Sequence, residues 1–114
     1  MDYQARLIHL IEHSADEITN TWLLDIQRSA KTATYRKFPE RDLYQRGFRV
    51  LSRLGKWIAE ESGRDESRSF WIELGRERQE EGFALSEIIQ AIALLRWSLW
   101  RKIESAGLMA TAYD

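Results

Sequence analysis

Apolar residues recur at every third or fourth position along most of the chain, which is the spacing that gives a helix one buried face. This pattern predicts a first helix over about residues 2–30. Its apolar stripe consists of Leu7, Ile11, Ala15, Ile18, Trp22 and Ile26. Ser14, Asp25 and Ser29 lie at the edge of the stripe, so each needs a hydrogen-bond partner or water wherever a neighbouring helix covers it.

The pattern breaks over residues 31–38, which we predict to be the longest internal loop. Pro39 suits the first turn of a second helix, predicted over about residues 39–62 with Gly63 as its C-terminal stop. The apolar face of this helix consists of Leu43, Gly47, Val50, Leu51, Leu54, Trp57 and Ile58. Two glycines inside the helix each cost about 1 kcal/mol relative to alanine, which suggests a close approach of another helix.

Two further helices are predicted over about residues 65–81 and 85–106, separated by Gly82. The third is more polar, with Phe70, Trp71, Leu74 and Arg78 as its buried edge and Glu73, Glu77 and Glu80 on its wetted side. The fourth has one apolar stripe of Ile88, Ile92, Leu95, Leu99 and Ile103, and a second of Ile89, Ala93 and Trp100. Such wide apolar coverage indicates a central position, contact with another subunit, or both.

Few glycines, a single proline and five tryptophans suit long helices better than strands and hairpins. The chain is therefore predicted to be all-α, an antiparallel four-helix bundle with one core over residues 1–107. Residues 108–114 form a tail that is apolar enough to begin a fifth helix. We expect the tail to lead toward a further helix or an output domain, and the chain to be a fragment of a longer protein.

Charge and cysteine content narrow the classes of function. Seventeen basic and eighteen acidic residues give a net charge of −1, which lacks the positive field that nonspecific nucleic-acid binding needs. The chain has no cysteine, which excludes disulfides, thiolate catalysis and Cys-ligated metal centres. Neither a signal peptide nor an apolar run of membrane-spanning length is visible. We expect a cytoplasmic protein that binds neither nucleic acid nor membrane.

A pair of histidines gives the nearest approach to a metal-ligand pattern. His9 and His13 are four residues apart on the first helix, and Glu12 and Asp16 lie close by. The zincin pattern needs a glutamate directly after the first histidine, where this chain has Leu10. Because the pair lies opposite the apolar stripe, exposed surface histidines are the simpler interpretation. We predict neither a metal site nor a cofactor.

Two arginines are the candidate ligand-binding groups. Arg78 and Arg96 each fall at or beside an apolar stripe, where a guanidinium group is costly to bury unless it is paired. If they converge, they would bind a carboxylate or phosphate ligand, and Trp71 would complete a cavity beside them. The simpler interpretation is an internal ion pair with Asp25, Glu87 or another acid, or extension of the guanidinium to solvent.

No phosphate-binding glycine loop, nucleophile elbow, Ser-His-Asp set or carboxylate pair is visible, so we assign no catalytic residue and predict that the chain is not an enzyme. The candidate interface of a homodimer is instead the second stripe of the fourth helix together with Trp97. Its residues are Ile89, Ala93, Trp97 and Trp100.

Three stretches carry a shared pattern of packing and capping residues: ITNTW at 18–22, LGRERQEEGFALSE at 74–87 and AIALLRWSLW at 91–100. Together they resemble the N-terminal regulatory domain of RsbR-type co-antagonists, specifically the RsbRD-like family, and of related sensor histidine kinases. The resemblance implies a helical input domain for stress-response signalling, attached to a partner-switching domain of the stressosome type or to a kinase core. It carries no ligand motif, so Arg78 and Arg96 remain inferences from this sequence.

The predicted function is a sensory or regulatory input domain that passes a signal to a C-terminal output through small shifts between packed helices. The alternative is a protein-interaction or dimerisation scaffold without a ligand. A third hypothesis is a small metal- or cofactor-binding helical protein. A ligand-sized cavity lined by Trp71, Arg78 and Arg96 would favour sensing, whereas a solid core beside an exposed apolar patch would favour the scaffold.

Overall fold

The computed structural model describes residues 2–59 and 63–108. The described residues form four α-helices and one 3-10 helix, and they include no strand. The helices are α1 (Tyr3–Arg28), the 3-10 helix (Ala30–Lys37), α2 (Glu40–Ala59), α3 (Gly63–Glu80) and α4 (Leu85–Ser105). The predicted all-α helical bundle is confirmed. Among the described residues, no helix combines the length and the hydropathy needed to cross a membrane.

The segment predicted as a loop is folded as the 3-10 helix, so that prediction was wrong. Thr32 interrupts its regular geometry, with φ −128° and ψ 34°. The buried Thr32 hydroxyl donates a hydrogen bond to the carbonyl oxygen of Ile26 at 2.8 Å, and this bond ties the segment to the end of α1. The periodicity of apolar residues misses such a segment because local hydrogen bonds hold it, and a short 3-10 helix needs no apolar stripe.

The helix ends show a side-chain cap that was not predicted, one glycine stop as predicted, and one glycine that departs from the prediction. The Asp2 carboxylate accepts a hydrogen bond from the Ala5 amide at 2.7 Å and caps α1. Gly82 has φ +95° and follows the end of α3, as predicted. Gly63, predicted to stop the second helix, is instead the first residue of α3. Glycine is also tolerated at helix starts, so it marks a boundary without giving its direction.

The core is built around α1, which packs against both α2 and α4. Its buried residues are Ile11, Ala15, Ile18, Thr19, Trp22, Leu23 and Ile26, which include most of the predicted stripe. Gly47 of α2 allows a close approach of α1, because a Cβ atom there would lie 2.7 Å from two carbon atoms of the Trp22 ring. The Trp22 Nε1 group donates to the carbonyl oxygen of Ala91 on α4 at 2.9 Å. One indole therefore joins three helices.

The buried face of α4 differs from the predicted stripe. It consists of Ile88, Ala91, Leu95, Ser98 and Ile103. Ile92, predicted to be buried, is 37% exposed. The small Ala91 occupies an interior position instead, and its backbone carbonyl accepts the hydrogen bond from Trp22. Of the predicted tail, Leu108 is buried, and residues 109–114 lie outside the described part of the chain.

Charged side chains along the edge of the bundle also join α1 to α4. Asp25, which the sequence placed at the edge of the α1 stripe, accepts a hydrogen bond from Arg101 Nη2 at 2.8 Å. Lys102 Nζ lies 2.7 Å from the carboxylate of Glu17. Asp25 therefore has a partner on α4, and the partner is neither of the two candidate arginines.

Candidate functional site

A small cavity lies where the four α-helices and the 3-10 helix meet. Its volume is about 30 Å³, which is room for about one or two water molecules. Apolar and aromatic side chains make up most of its wall, among them Trp22, Val50, Trp71, Leu74, Ile92 and Leu95. The remaining lining side chains with polar groups are those of Tyr35, Arg46 and Arg78. The cavity therefore combines an apolar interior with two guanidinium groups and a phenol.

The two arginines of the cavity converge on a single carboxylate. Arg46 of α2 donates from Nη1 to Glu81 Oε1 at 2.9 Å and from Nη2 to Glu81 Oε2 at 2.6 Å, which is a bidentate pair. Arg78 of α3 donates from Nη1 to Glu81 Oε1 at 2.5 Å. Arg78 is buried, with 7% of its surface exposed. Glu81 follows the last residue of α3, so this cluster joins α2 to the end of α3.

The arrangement shifts the ionisation of two groups in opposite senses. Hydrogen bonds from Arg46 hold the pKa of the Glu81 carboxyl below its ordinary value, and Arg78 acts in the same direction while burial opposes them. Burial raises the pKa of the Tyr35 phenol to about 12, although the charges of Arg78 and Arg46 oppose that rise. At neutral pH the site therefore holds an ionised carboxylate and a protonated phenol.

The α3–α4 turn connects this cluster to the rest of the bundle. Phe83 in the turn packs against Tyr35, with ring centroids 4.3 Å apart, and against Phe38, at 5.3 Å. The Glu87 carboxylate accepts hydrogen bonds from the Thr34 amide at 2.8 Å and from the Thr34 hydroxyl at 2.7 Å. The hydroxyl contact is the main cause of a lowered Glu87 pKa. Movement of the turn would therefore reach both the 3-10 helix and α4.

The structure brings together two of the three predicted ligand-binding residues. Trp71 and Arg78 both line the cavity. Arg96 is exposed on α4 and is not among the lining residues. Arg46, and not Arg96, is the second arginine of the cavity. The sequence analysis missed Arg46, although it directly precedes Gly47, where α2 comes close to α1. Tyr35 carried no signal, because it lies in the segment without apolar periodicity.

The predicted interface residues lie on the outer side of α4. Ile89 is 60% exposed, Trp97 53% and Trp100 40%, and Ala93 is half-buried. The Arg101 guanidinium lies over the Trp97 ring, 5.9 Å from its centroid. One helix thus buries an apolar face in the core and presents further large apolar side chains to solvent.

The histidine pair lies on the exposed side of α1. The His9 and His13 rings stack with centroids 3.8 Å apart, and His13 Nδ1 lies 3.0 Å from the His9 carbonyl oxygen. Asp16 accepts a hydrogen bond from the Tyr44 hydroxyl at 2.5 Å. Within residues 2–59 and 63–108, no group of three or more His, Cys, Asp or Glu side chains is arranged to hold a metal ion.

Most of the chain matches a known protein family. Residues 16–113 match the protein-family model described as the RsbT co-antagonist protein rsbRD N-terminal domain. The match runs from within α1 through α4 and includes every residue of the cavity wall named above. No curated protein and no solved structure matches the chain significantly.

Proposed function

Because the chain belongs to the family of the RsbT co-antagonist protein rsbRD N-terminal domain, a family of regulatory co-antagonist domains, we propose that it is the non-catalytic input domain of a bacterial-type signalling protein. In this role the domain works in the cytoplasm as a stress-response regulator. It receives a signal and passes it to an output on its C-terminal side. The output is a partner-switching domain or a kinase core.

The two-faced α4 helix is the observation that carries this proposal. Ile88 and Leu95 on one side pack in the core, while Ile89 and Trp97 on the other side are exposed. A helix that belongs to both the core and an outer contact surface can transmit a small shift from one to the other. A signal acts on such a helix by binding one packing arrangement more tightly than another, because equal affinity for both would shift nothing.

We further propose that the exposed face of α4 pairs with a second copy of this chain. Ile89, Ala93, Trp97 and Trp100 form the centre of this surface. Aromatic side chains bury about 150–250 Å² each and are enriched in interface cores, so two tryptophans per copy provide a suitable centre for a dimer. The charged groups at its border, such as Arg101, fit the polar rim of an interface.

Sedimentation velocity over micromolar concentrations tests the dimer with two matched variants. Ile89→Glu introduces a charge on the α4 face, and Ile72→Glu introduces the same charge on α3, where the isoleucine is similarly exposed at 64%. We expect the wild-type chain and Ile72→Glu to sediment as dimers and Ile89→Glu as a monomer. A wild-type monomer at every concentration, or equal dissociation of both variants, would contradict the dimer.

A scaffold without a ligand is the second candidate, and the size of the cavity favours it. The cavity volume of about 30 Å³ is far below the roughly 300–1,000 Å³ of pockets that hold drug-sized ligands. Pairing through α4 would then serve only to hold a partner. The two candidates differ in one measurable respect: in an input domain, the dimer dissociation constant responds to changes at the cavity, whereas in a scaffold it does not.

A further inference from the structure

The cluster at the cavity holds a carboxylate of the chain itself in an arrangement suited to a carboxylate ligand. Arg46 binds both oxygens of Glu81, and Arg78 binds one of them from the side. Both arginines also line the apolar cavity. The Tyr35 hydroxyl is protonated at neutral pH, lines the same space, and forms no hydrogen bond with any described residue.

The charges around this cluster differ between its two sides. On the solvent side, Arg49, Glu77 and Glu80 border the same groove as the two arginines. On the cavity side, Arg46 and Arg78 are the charged members of the described lining. An anion bound with its apolar end in the cavity therefore meets two guanidinium groups and a phenol there, and among the described lining residues it meets no acid.

We propose that this is a binding site for a small organic carboxylate, which displaces Glu81 from Arg46 and Arg78 and places its apolar end in the cavity. The wall beside the arginines is formed by Trp22, Trp71 and other apolar residues. A space of about 30 Å³ admits an apolar end of one or two carbon atoms, because one water already needs about 10–15 Å³ by the same measure. Acetate and propionate have the required size.

The apolar wall, rather than the donor geometry, favours a carboxylate over inorganic phosphate. Arg46 presents two parallel N–H donors to two oxygens of one plane, and such a fork matches a carboxylate and a phosphate alike. The wall behind the arginines is apolar, so the additional charged oxygens of a phosphate would lose their hydration without gaining partners there. A short aliphatic tail, in contrast, would gain from entering the same space.

Exchange of Glu81 for a ligand would also release the α3–α4 turn. Glu81 directly precedes Gly82 and Phe83 in the turn that leads to α4, and Phe83 packs against Tyr35. The ion pairs of Glu81 hold this turn to Arg46 of α2. The claim that ligand binding is the signal rests on the proposed function. The claim that the ligand binds at this site does not. Loss of the dimer in the sedimentation experiment would leave this site untouched.

Titration of the whole chain with sodium propionate tests the site, with amide chemical shifts and calorimetry as readouts. We expect saturable binding with a millimolar dissociation constant, and no binding of propanol, of matched sodium chloride or of sodium phosphate. Glu81→Gln removes the competing carboxylate. Because Glu81 pairs with both arginines in the structure, its removal should tighten propionate binding about tenfold or more.

Two arginine variants provide the matched comparison. Arg46→Lys keeps the charge and loses the planar fork, so propionate affinity should fall several-fold. Arg53→Lys changes the same residue type two turns away on α2, outside both the cavity lining and the adjoining groove, and should leave the affinity unchanged. Circular dichroism verifies that each variant folds, and the wild-type titration alone decides whether propionate binds. Absence of saturable binding, equal shifts with phosphate, or equal affinities of both lysine variants would overturn the proposal.

Discussion

Where α1 meets α2 and α4, closely fitted apolar side chains form the centre of the contact, whereas α3 meets α2 through ion pairs together with aromatic side chains. On the first side, Trp22 lies over Gly47 and hydrogen-bonds to α4. On the second side, Glu66 lies 3.4 Å from Arg53 and 3.5 Å from Lys56, and Glu81 pairs with α2 at the other end of α3. Trp57 and Phe70 add an aromatic contact between these two helices.

The two kinds of contact differ in how firmly they hold a helix. Burial of apolar surface contributes about 25 cal/mol per Å², whereas an exposed ion pair contributes about 0–1 kcal/mol. We therefore expect α3 to be held less firmly than α1. Helices that move in regulation tend to come from the less stable parts of a protein. The candidate site lies between the two regions, where a shift of α3 would be felt by both arginines.

Truncating a tryptophan in each region should give the largest difference. Trp22→Ala removes a buried ring that contacts three helices, and we expect it to lower the free energy of unfolding by about 3–5 kcal/mol. Trp71→Ala on α3 removes a half-buried ring, so the expected loss is roughly 1–2 kcal/mol. Urea unfolding monitored by circular dichroism measures both values. Equal losses would show that α3 belongs to the same tightly packed core.

The sequence predicts the α1 stripe but not the 3-10 helix, because different kinds of contact hold the two segments. The α1 stripe was predictable because apolar burial imposes spacings of three and four on Ile11, Ala15, Ile18 and Trp22. The 3-10 helix was not, since a hydroxyl of Thr32 and the ring of Tyr35 fix it through single contacts without a period. The family resemblance was predicted and is confirmed by the match over residues 16–113.

The candidate site was predictable only in part, for a related reason. Arg78 was predicted as a site residue because it lies on an apolar edge, and in the structure it is buried. Which cation accompanies it depends on how α2 and α3 are placed against each other, and no spacing within one helix encodes that placement. Arg46 therefore had to be found in the structure, and Glu81 with it.

Gly47 and Gly75 lie within helices of the two regions, and their surroundings differ. Gly47→Ala places a Cβ atom 2.7 Å from the Trp22 ring, and the ring is held by its hydrogen bond to Ala91. We expect a net loss of about 1–3 kcal/mol from this overpacking. Gly75→Ala on α3 meets no described atom within 4 Å, so it should be neutral or should stabilise the chain by up to about 1 kcal/mol through helix propensity.

Thermal and urea unfolding of the two alanine variants measures whether their changes in the free energy of unfolding have opposite signs. A stabilising Gly47→Ala would mean that the Trp22 ring can move away at little cost, and the close fit assigned to α1 and α2 would be wrong. A destabilising Gly75→Ala would instead indicate a close neighbour on α3, and the contrast between the regions would lose its basis.

The smallest expected effect concerns the charge that holds the end of α3. Glu81→Gln should cost about 1 kcal/mol at neutral pH, because Glu81 is partly exposed and the amide oxygen still accepts one hydrogen bond. Glu80→Gln is the control, since Glu80 is exposed and forms no ion pair with a described residue. Both variants lose one negative charge, so their difference isolates the pairing with the arginines.

The same pair of variants gives a pH dependence of definite sign. Hydrogen bonds from Arg46 lower the pKa of Glu81 in the folded chain, so its stabilisation is complete above the unfolded value of about 4.3 and is lost as pH falls through the folded pKa. The stability difference between the wild-type chain and Glu81→Gln should thus stay constant from pH 7 to about pH 5 and shrink below that. Glu87, whose pKa is also lowered, is present in both chains and cancels. A difference that grows on acidification would mean that the arginines do not hold Glu81 in its ionised form, and α3 would then need another anchor.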